Sequence, residues 1–170
     1  QIRIISGNFV TARPVGVIDG LDFKHSGAVR KLDVDAMRVI LNQGALILLS
    51  PLGFSPTGEA FTLDMEDLAT STAIALRAEK LIFLTPEHIG HSNNLDIDSE
   101  LARADADALL ASGKLDQDCS TFLRYASQAV KRGIARAHLV PYKQDGSILL
   151  EIFTHDGVGT MVVEDTLDDL

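Results

Sequence analysis

Three groups of residues in this 170-residue sequence are of types that carry chemistry. His88, His91, Asp96 and Asp98 offer imidazole and carboxylate donors of the kind that hold a divalent cation. They follow Pro86, which disfavours a regular helix, and they lack the glycine and closing glutamate of a calcium loop. A solvated loop is the expected state, and no metal site is assigned. Cys119 and His138 are a thiol and an imidazole that could act as nucleophile and base. No third orienting group accompanies them, and Leu52-Gly53-Phe54-Ser55-Pro56 departs from the Gly-x-Ser-x-Gly elbow. Cys119 is expected to pack, and no catalytic residue is assigned. Neither a Walker P-loop nor a Gly-x-Gly-x-x-Gly fingerprint is present.

The third group lies near the C-terminal end. His138 closes one apolar segment, Glu151 interrupts the apolar run Ile148-Leu149-Leu150-Glu151-Ile152-Phe153, and the turn Asp156-Gly157-Val158-Gly159-Thr160 follows. A carboxylate inside such a run is costly to bury unpaired and calls for a cation or strong donors. A guanidinium would meet it with two parallel hydrogen bonds, and the glycines would let backbone groups approach the same ligand. Alternatively Glu151 faces solvent on an edge strand, and spacing leaves both readings open.

The elements that must position these residues alternate along the chain. Residues 2–5 and 9–12 read as strands, and Asp19-Gly20 as a tight turn, giving a small antiparallel section. Asp33 caps a helix with Val34, Met37, Ile40 and Leu41 on one face and Gly44 at its end; the apolar strand 45–49 follows, expected to be covered on both faces. Asp64 caps a second helix presenting Leu68, Thr72, Ala73 and Leu76, before strand 81–84. Phe122, Leu123, Ala126, Ala129 and Val130 form a third helical face, with Lys131 and Arg132 suited to its C-terminal end and Gly133 stopping it before strand 137–140. Residues 148–153 and 160–163 are read as a closing antiparallel pair. Three helix-to-strand units predict an α/β fold with a mostly parallel sheet. Between the units, residues 93–120 carry seven acidic side chains against Arg103 and Lys114. Ile97, Leu101, Ala104, Ala108 and Ala111 keep helical spacing there, predicting an amphipathic helix with a solvated acidic face.

Composition narrows the function classes. Hydrophobic residues make up 46% and charged residues 23%, which fits a globular chain with one domain as the default. A formal charge of −9 and an aromatic content of 5% argue against a nucleic-acid or anionic-membrane partner. The single Cys119 fits a reducing compartment, and no apolar stretch reaches the roughly 18–20 residues of a membrane span, so a cytoplasmic location is expected. The chain opens on Gln1-Ile2-Arg3-Ile4-Ile5 as though inside a strand, which reads as a piece of something longer.

With these residues in place, the sequence resembles the amino-acid kinase (carbamate kinase-like) family, specifically the second half of the kinase-like domain of bacterial N-acetylglutamate synthases. The shared text includes Ser6-Gly7-Asn8-Phe9, Asp19-Gly20, Asp22-Phe23, His25-Ser26-Gly27, Thr57-Gly58-Glu59, Ala78-Glu79-Lys80, Leu149-Leu150-Glu151-Ile152-Phe153-Thr154 and Asp156-Gly157-Val158-Gly159-Thr160. The resemblance implies a three-layer α/β/α sandwich. Residues 1–163 would be the C-terminal part of an arginine-sensing kinase-like domain, and 164–170 the start of a linker to an acetyltransferase domain. It also implies that the family's glycine-rich phosphate loop would precede Gln1.

The implied activity of the parent is acetyl transfer from the co-substrate acetyl-CoA to L-glutamate, the first step of arginine biosynthesis, with no cofactor in this chain. Related kinases use an Asn-x-Asp element and a lysine on a late helix. Here Asp64-Met65-Glu66 and Phe122 stand in those places, which speaks against phosphoryl transfer. The family's allosteric effector is L-arginine, and its matching positions here are His138, Glu151 and Gly157. A serine near the late helix also contributes in relatives; Ser120 is the nearest candidate, though a helix cap is its expected role. A homo-oligomer is expected, as is association of the piece on its own through the apolar flanks of its first strands. The rival readings are an acetylglutamate kinase-type phosphotransferase and a structural half-domain serving oligomer contacts.

Overall fold

A computed structural model describes residues 2–91, 94–154 and 157–165, and the chain divides into two compact units, 1–76 and 77–170. In the first unit the strands are β1 (Ile4–Ile5), β2 (Val10–Pro14), β3 (Val17–Ile18), β4 (Leu21–Asp22), β5 (Ser26–Leu32), β6 (Leu46–Ile47), β7 (Leu52–Phe54) and β8 (Ala60–Leu63). Its helices are α1 (Val34–Asn42) and α2 (Met65–Leu76). The strands β2, β5, β8 and β7 close into a small barrel around Val10, Ala12, Leu32, Phe61, Leu63 and Leu68. Closure brings backbones together. A Cβ on Gly53 would stand 2.8 Å from the Ala12 Cβ, and one on Gly27 would stand 2.6 Å from that of Phe61.

The barrel replaces the expected antiparallel section. β2–β5 and β7–β8 are antiparallel, while β5–β8 and β2–β7 are parallel. Strands β7 and β8 are short, with three and four residues, and β5 carries Gly27 and the charged pair Arg30-Lys31, so periodicity does not mark them. The turn reading at Asp19-Gly20 holds: both residues have positive φ, 50° and 81°, and join β3 to β4 as a two-residue hairpin. Asp33 caps α1 by accepting the Ala36 N–H, and Met37 is its buried anchor. The expectation that residues 45–49 are covered on both faces fails. Ala45 is buried, but Leu46 and Leu48 are 53% and 59% exposed, because a continuous apolar run sets no period and β6 pairs only with β1 among the described residues.

The second unit is a four-stranded sheet in the order β10 (Glu100–Ala102), β12 (Thr160–Val163), β11 (Arg136–Pro141), β9 (Lys80–Thr85), with helices α3 (Arg103–Ala111), α4 (Gln117–Lys131) and α5 (Ser147–Phe153). β9–β11 and β10–β12 are parallel, and β11–β12 is the antiparallel pair. Layering follows from register. Phe83 pairs with Leu139, and Phe83 meets Phe122 of α4 at 5.8 Å between ring centroids, so α4 covers the Leu139 face together with its neighbour α3. His138 points to the other face, where it meets Glu151 of α5. The result is a helix layer, the sheet, and a helix.

Two elements differ from expectation. Residues 148–153 lie in the helix α5 and not in a strand: the Leu150 and Thr154 N–H groups donate to the Gly146 and Leu150 carbonyls, the i−4 pattern of a helix. The run lacks alternation, and its Leu-Leu-Glu centre is helix-forming. Helix α3 begins only at Arg103, after strand β10, so the spacing from Ile97 to Ala111 crosses an element boundary. Its buried residue is Ala106, while Ala104 and Ala108 are exposed. In α4 the cap is Asp116, which accepts the Cys119 N–H at 2.8 Å; Ser120 sits inside the first turn.

Candidate functional site

Strand register builds the floor of a cavity on the α5 face of the second unit. One row across the sheet runs Glu100, Met161, His138, Ile82, and Arg136 is paired in register with Lys80. Side chains in such positions share a face. Helix α5 and its exit supply the opposite wall through Glu151, Ile152, Phe153 and Thr154, and Gly157 and Gly159 complete it. The enclosed volume is about 640 Å³. Lys80 and Arg136 bring positive charge to this cavity, Glu100 and Glu151 negative charge.

Glu151 is the most heavily bonded group there. His138 Nδ1 lies 2.7 Å from its Oε1, and the Val158 and Gly159 N–H groups donate to Oε2 at 2.9 and 3.0 Å. The two side chains are 7% and 5% exposed, so the pair is buried under the cavity rim. A carboxylate has about four acceptor sites, and three are used, which leaves one for a ligand where the sequence suggested two parallel bonds. Gly157 is required by this geometry, since a Cβ on it would stand 2.5 Å from Glu151 Oε2. The structure thus brings His138, Glu151 and Gly157 together, with His138 on strand β11 and Gly157 in the turn as expected, and Glu151 on helix α5 and not on the strand the sequence suggested. His155 and Asp156 of that turn, and residues 166–170 of the segment read as a linker, lie outside the described residues.

Sequence reasoning missed Lys80, Ser99, Glu100 and Arg136 as cavity residues, and the serine it nominated, Ser120, does not line this cavity. The missing signal was strand pairing: Arg136 and Lys80 are distant in sequence and adjacent only through β9–β11 register.

A second cavity, about 260 Å³, lies at the carboxyl end of β9 beside the start of α4, lined by Glu87, Asp116, Asp118, Cys119 and Phe122 among others. Burial pushes the Cys119 thiol above its usual range. The Lys143 ammonium, 2.8 Å from Glu87, holds that carboxyl below the usual carboxylate range. No lysine or arginine is among the lining residues, and Phe122 packs on Phe83. In the loop read for metal donors, His88 Nδ1 is 3.1 Å from the Ile89 carbonyl while His91, Asp96 and Asp98 are exposed; no group of three His, Cys, Asp or Glu is arranged to hold an ion among the described residues. No helix among them is long and apolar enough to cross a membrane.

Comparison with known proteins places this geometry in a family. The amino acid kinase family model matches residues 1–140, which includes His138 and ends before Glu151 and Gly157. An amino-acid acetyltransferase of Ralstonia nicotianae is 50% identical over the whole chain, and that of Escherichia coli K12 is 40% identical. The chain spans 40% and 39% of those relatives' lengths. Among solved structures, N-acetylglutamate synthase from Neisseria gonorrhoeae complexed with coenzyme A and N-acetyl-glutamate is 35% identical at a TM-score of 0.91, covering 98% of this chain and 39% of that one. The same enzyme complexed with coenzyme A and L-arginine gives 34% and 0.87, covering 97% and 38%. A carbamate kinase from Giardia lamblia shares the fold at 12% identity and a TM-score of 0.71, covering 96% of this chain and 62% of that one. The chain belongs to the amino acid kinase family.

Proposed function

We propose that this chain is the regulatory, arginine-binding part of an N-acetylglutamate synthase, whose full-length form transfers acetyl from acetyl-CoA to L-glutamate. The observation that carries the reading is the convergence of His138, Glu151 and Gly157 on one cavity that bears both signs of charge. Arginine brings a guanidinium, an ammonium and a carboxylate. Lys80 and Arg136, side by side in register, repel each other until an anion joins them. They lie two strand residues from His138, roughly 6.6 Å, which is comparable with the span from carboxylate to guanidinium in an extended arginine. In this pose the carboxylate meets Lys80 and Arg136, and the guanidinium takes the remaining acceptor site of Glu151, at the level of the sheet row that also holds Glu100. The arginine-bound Neisseria relative supports the assignment.

Phosphoryl transfer is not favoured. The second cavity would present Glu87, Asp116 and Asp118 to a polyphosphate and offers an aromatic ring, Phe122, where a cation would be needed. The test is an assay of the full-length protein. It should acetylate glutamate from acetyl-CoA, change rate when arginine is added, and fail to phosphorylate N-acetylglutamate with ATP. Absence of acetyl transfer would overturn the enzyme reading, and a rate and melting temperature indifferent to arginine would overturn the regulatory one.

A further inference from the structure

Strands β10 and β12 form a short parallel ribbon whose two ends do different things. At one end Glu100 and Met161, paired in register, line the cavity on the α5 face. The pairing continues through Leu101 with Val162 and Ala102 with Val163, all four buried, and the residues that follow are Arg103 and Glu164. These two close the ladder with a bidentate ion pair: Arg103 Nε donates to Glu164 Oε1 and Oε2 at 3.0 and 2.9 Å, and Nη2 to Oε1 at 2.8 Å. The other arm of the guanidinium, Nη1, donates to Asp107 Oδ2 at 3.1 Å, and Asp107 in turn accepts the hydroxyl of Ser127 on α4. Glu164, the first residue beyond β12, is thereby tied to both helices of the layer on the opposite face. The guanidinium holds its carboxyl below the usual carboxylate range. The cavity end of the ribbon is held as directly, because Val158 and Gly159, the last residues before β12, donate to Glu151. From Gly159 to Glu164 is roughly 16 Å of extended chain. Exposed ion pairs add little to global stability, and the Arg103 and Glu164 side chains are 26% and 54% exposed. What this pair fixes is the direction in which the chain leaves the sheet.

We propose that Arg103 is a positioning residue that couples the cavity to the segment after β12: with Glu164 it makes the β10–β12 ribbon a stiff link, so that a cationic ligand on Glu151 shifts the Val158-Gly159 turn and, through β12, the path of the chain beyond Glu164. This inference rests on the synthase reading above, with residues 164–170 as the start of the connection to its acetyltransferase domain. Arg103 is not among the residues lining the cavity, so the ligand still binds when the clamp is removed. Its effect on the rest of the protein is then lost at the loosened end of the ribbon.

The test uses the full-length protein and its Arg103→Gln, Glu164→Gln and doubly substituted variants. Two quantities are measured: arginine affinity by calorimetric titration, and the ratio of glutamate acetylation rates with and without saturating L-arginine. Each single substitution is expected to leave the affinity within about twofold and to bring the rate ratio closer to one by roughly threefold or more. The double variant should lose no more than either single one, because all three break the same contact. Single variants that keep the full arginine effect, or losses that add in the double variant, would overturn the coupling while leaving the arginine site standing. Absence of acetyl transfer, or a rate indifferent to arginine, in the unaltered protein would overturn the reading above and the coupling with it. Should the variants fail to fold, hydrogen exchange on the unaltered protein decides. Arginine is expected to slow amide exchange in residues 100–103 and 160–164, and unchanged protection there would overturn the inference.

Discussion

Adding one methyl group to Gly157 would place a carbon 2.5 Å from Glu151 Oε2, so the carboxylate would have to leave the Val158 and Gly159 amides. Each of those is a charge-assisted bond of about 1.5–3 kcal/mol. Gly157→Ala is therefore expected to weaken arginine binding by about tenfold or more. Titration of the variant checks it, and an unchanged affinity would mean that the carboxylate is not held by this turn. His138, Glu151 and Gly157 were legible in the sequence because an ionisable group in an apolar run and a glycine-rich turn stand out chemically. Lys80, Glu100 and Arg136 were not, because single charged residues at strand starts look like ordinary surface until register sets them on one face. Ser120, expected as the helix cap, sits inside the first turn of α4 because Asp116 holds the capping role.

At the scale of elements, long helices with caps and full apolar faces were the most readable. Helix α4 carries Asp116 at its start, Lys131 in its last turn and Gly133, with φ 97°, just past its end. It buries Leu123, Ala126, Ala129 and Val130. Leu123 is fully buried, and Leu123→Ala is expected to cost about 2–5 kcal/mol, measured as a lower denaturation midpoint with an unchanged slope. A loss below about 1 kcal/mol would mean the α4 face is not the core it is taken to be. Helix α5 was misread because its apolar residues are mostly exposed: Leu149 is 63% and Phe153 78% exposed. A half-covered seven-residue helix leaves no periodic trace. The barrel escaped notice for a similar reason, since β7 has three residues and β8 four, too few for alternation to register.

For the whole molecule, the fold class was legible from the succession of helices and apolar strands, while the layering came only from the family resemblance, because layers depend on which strands pair. Acidic composition said little about the site, whose charges are of both signs. Exposed apolar surface is more telling. Ile4 and Leu46, paired across β1–β6, are 64% and 53% exposed, and Leu48 is 59% exposed. The isolated 170-residue chain is expected to associate through such surfaces, and light scattering that finds a monodisperse monomer at high concentration would contradict this. The central claim, that the cavity on the α5 face binds arginine through Glu151, is tested most directly by titrating L-arginine into the full-length protein and into its Glu151→Gln variant. The substitution keeps the shape of the side chain and removes its charge. The expected result is saturable binding to the unaltered protein and at least tenfold weaker binding to the variant, as loss of a charge-assisted bond to the ligand requires. Equal affinity in the two proteins would contradict it.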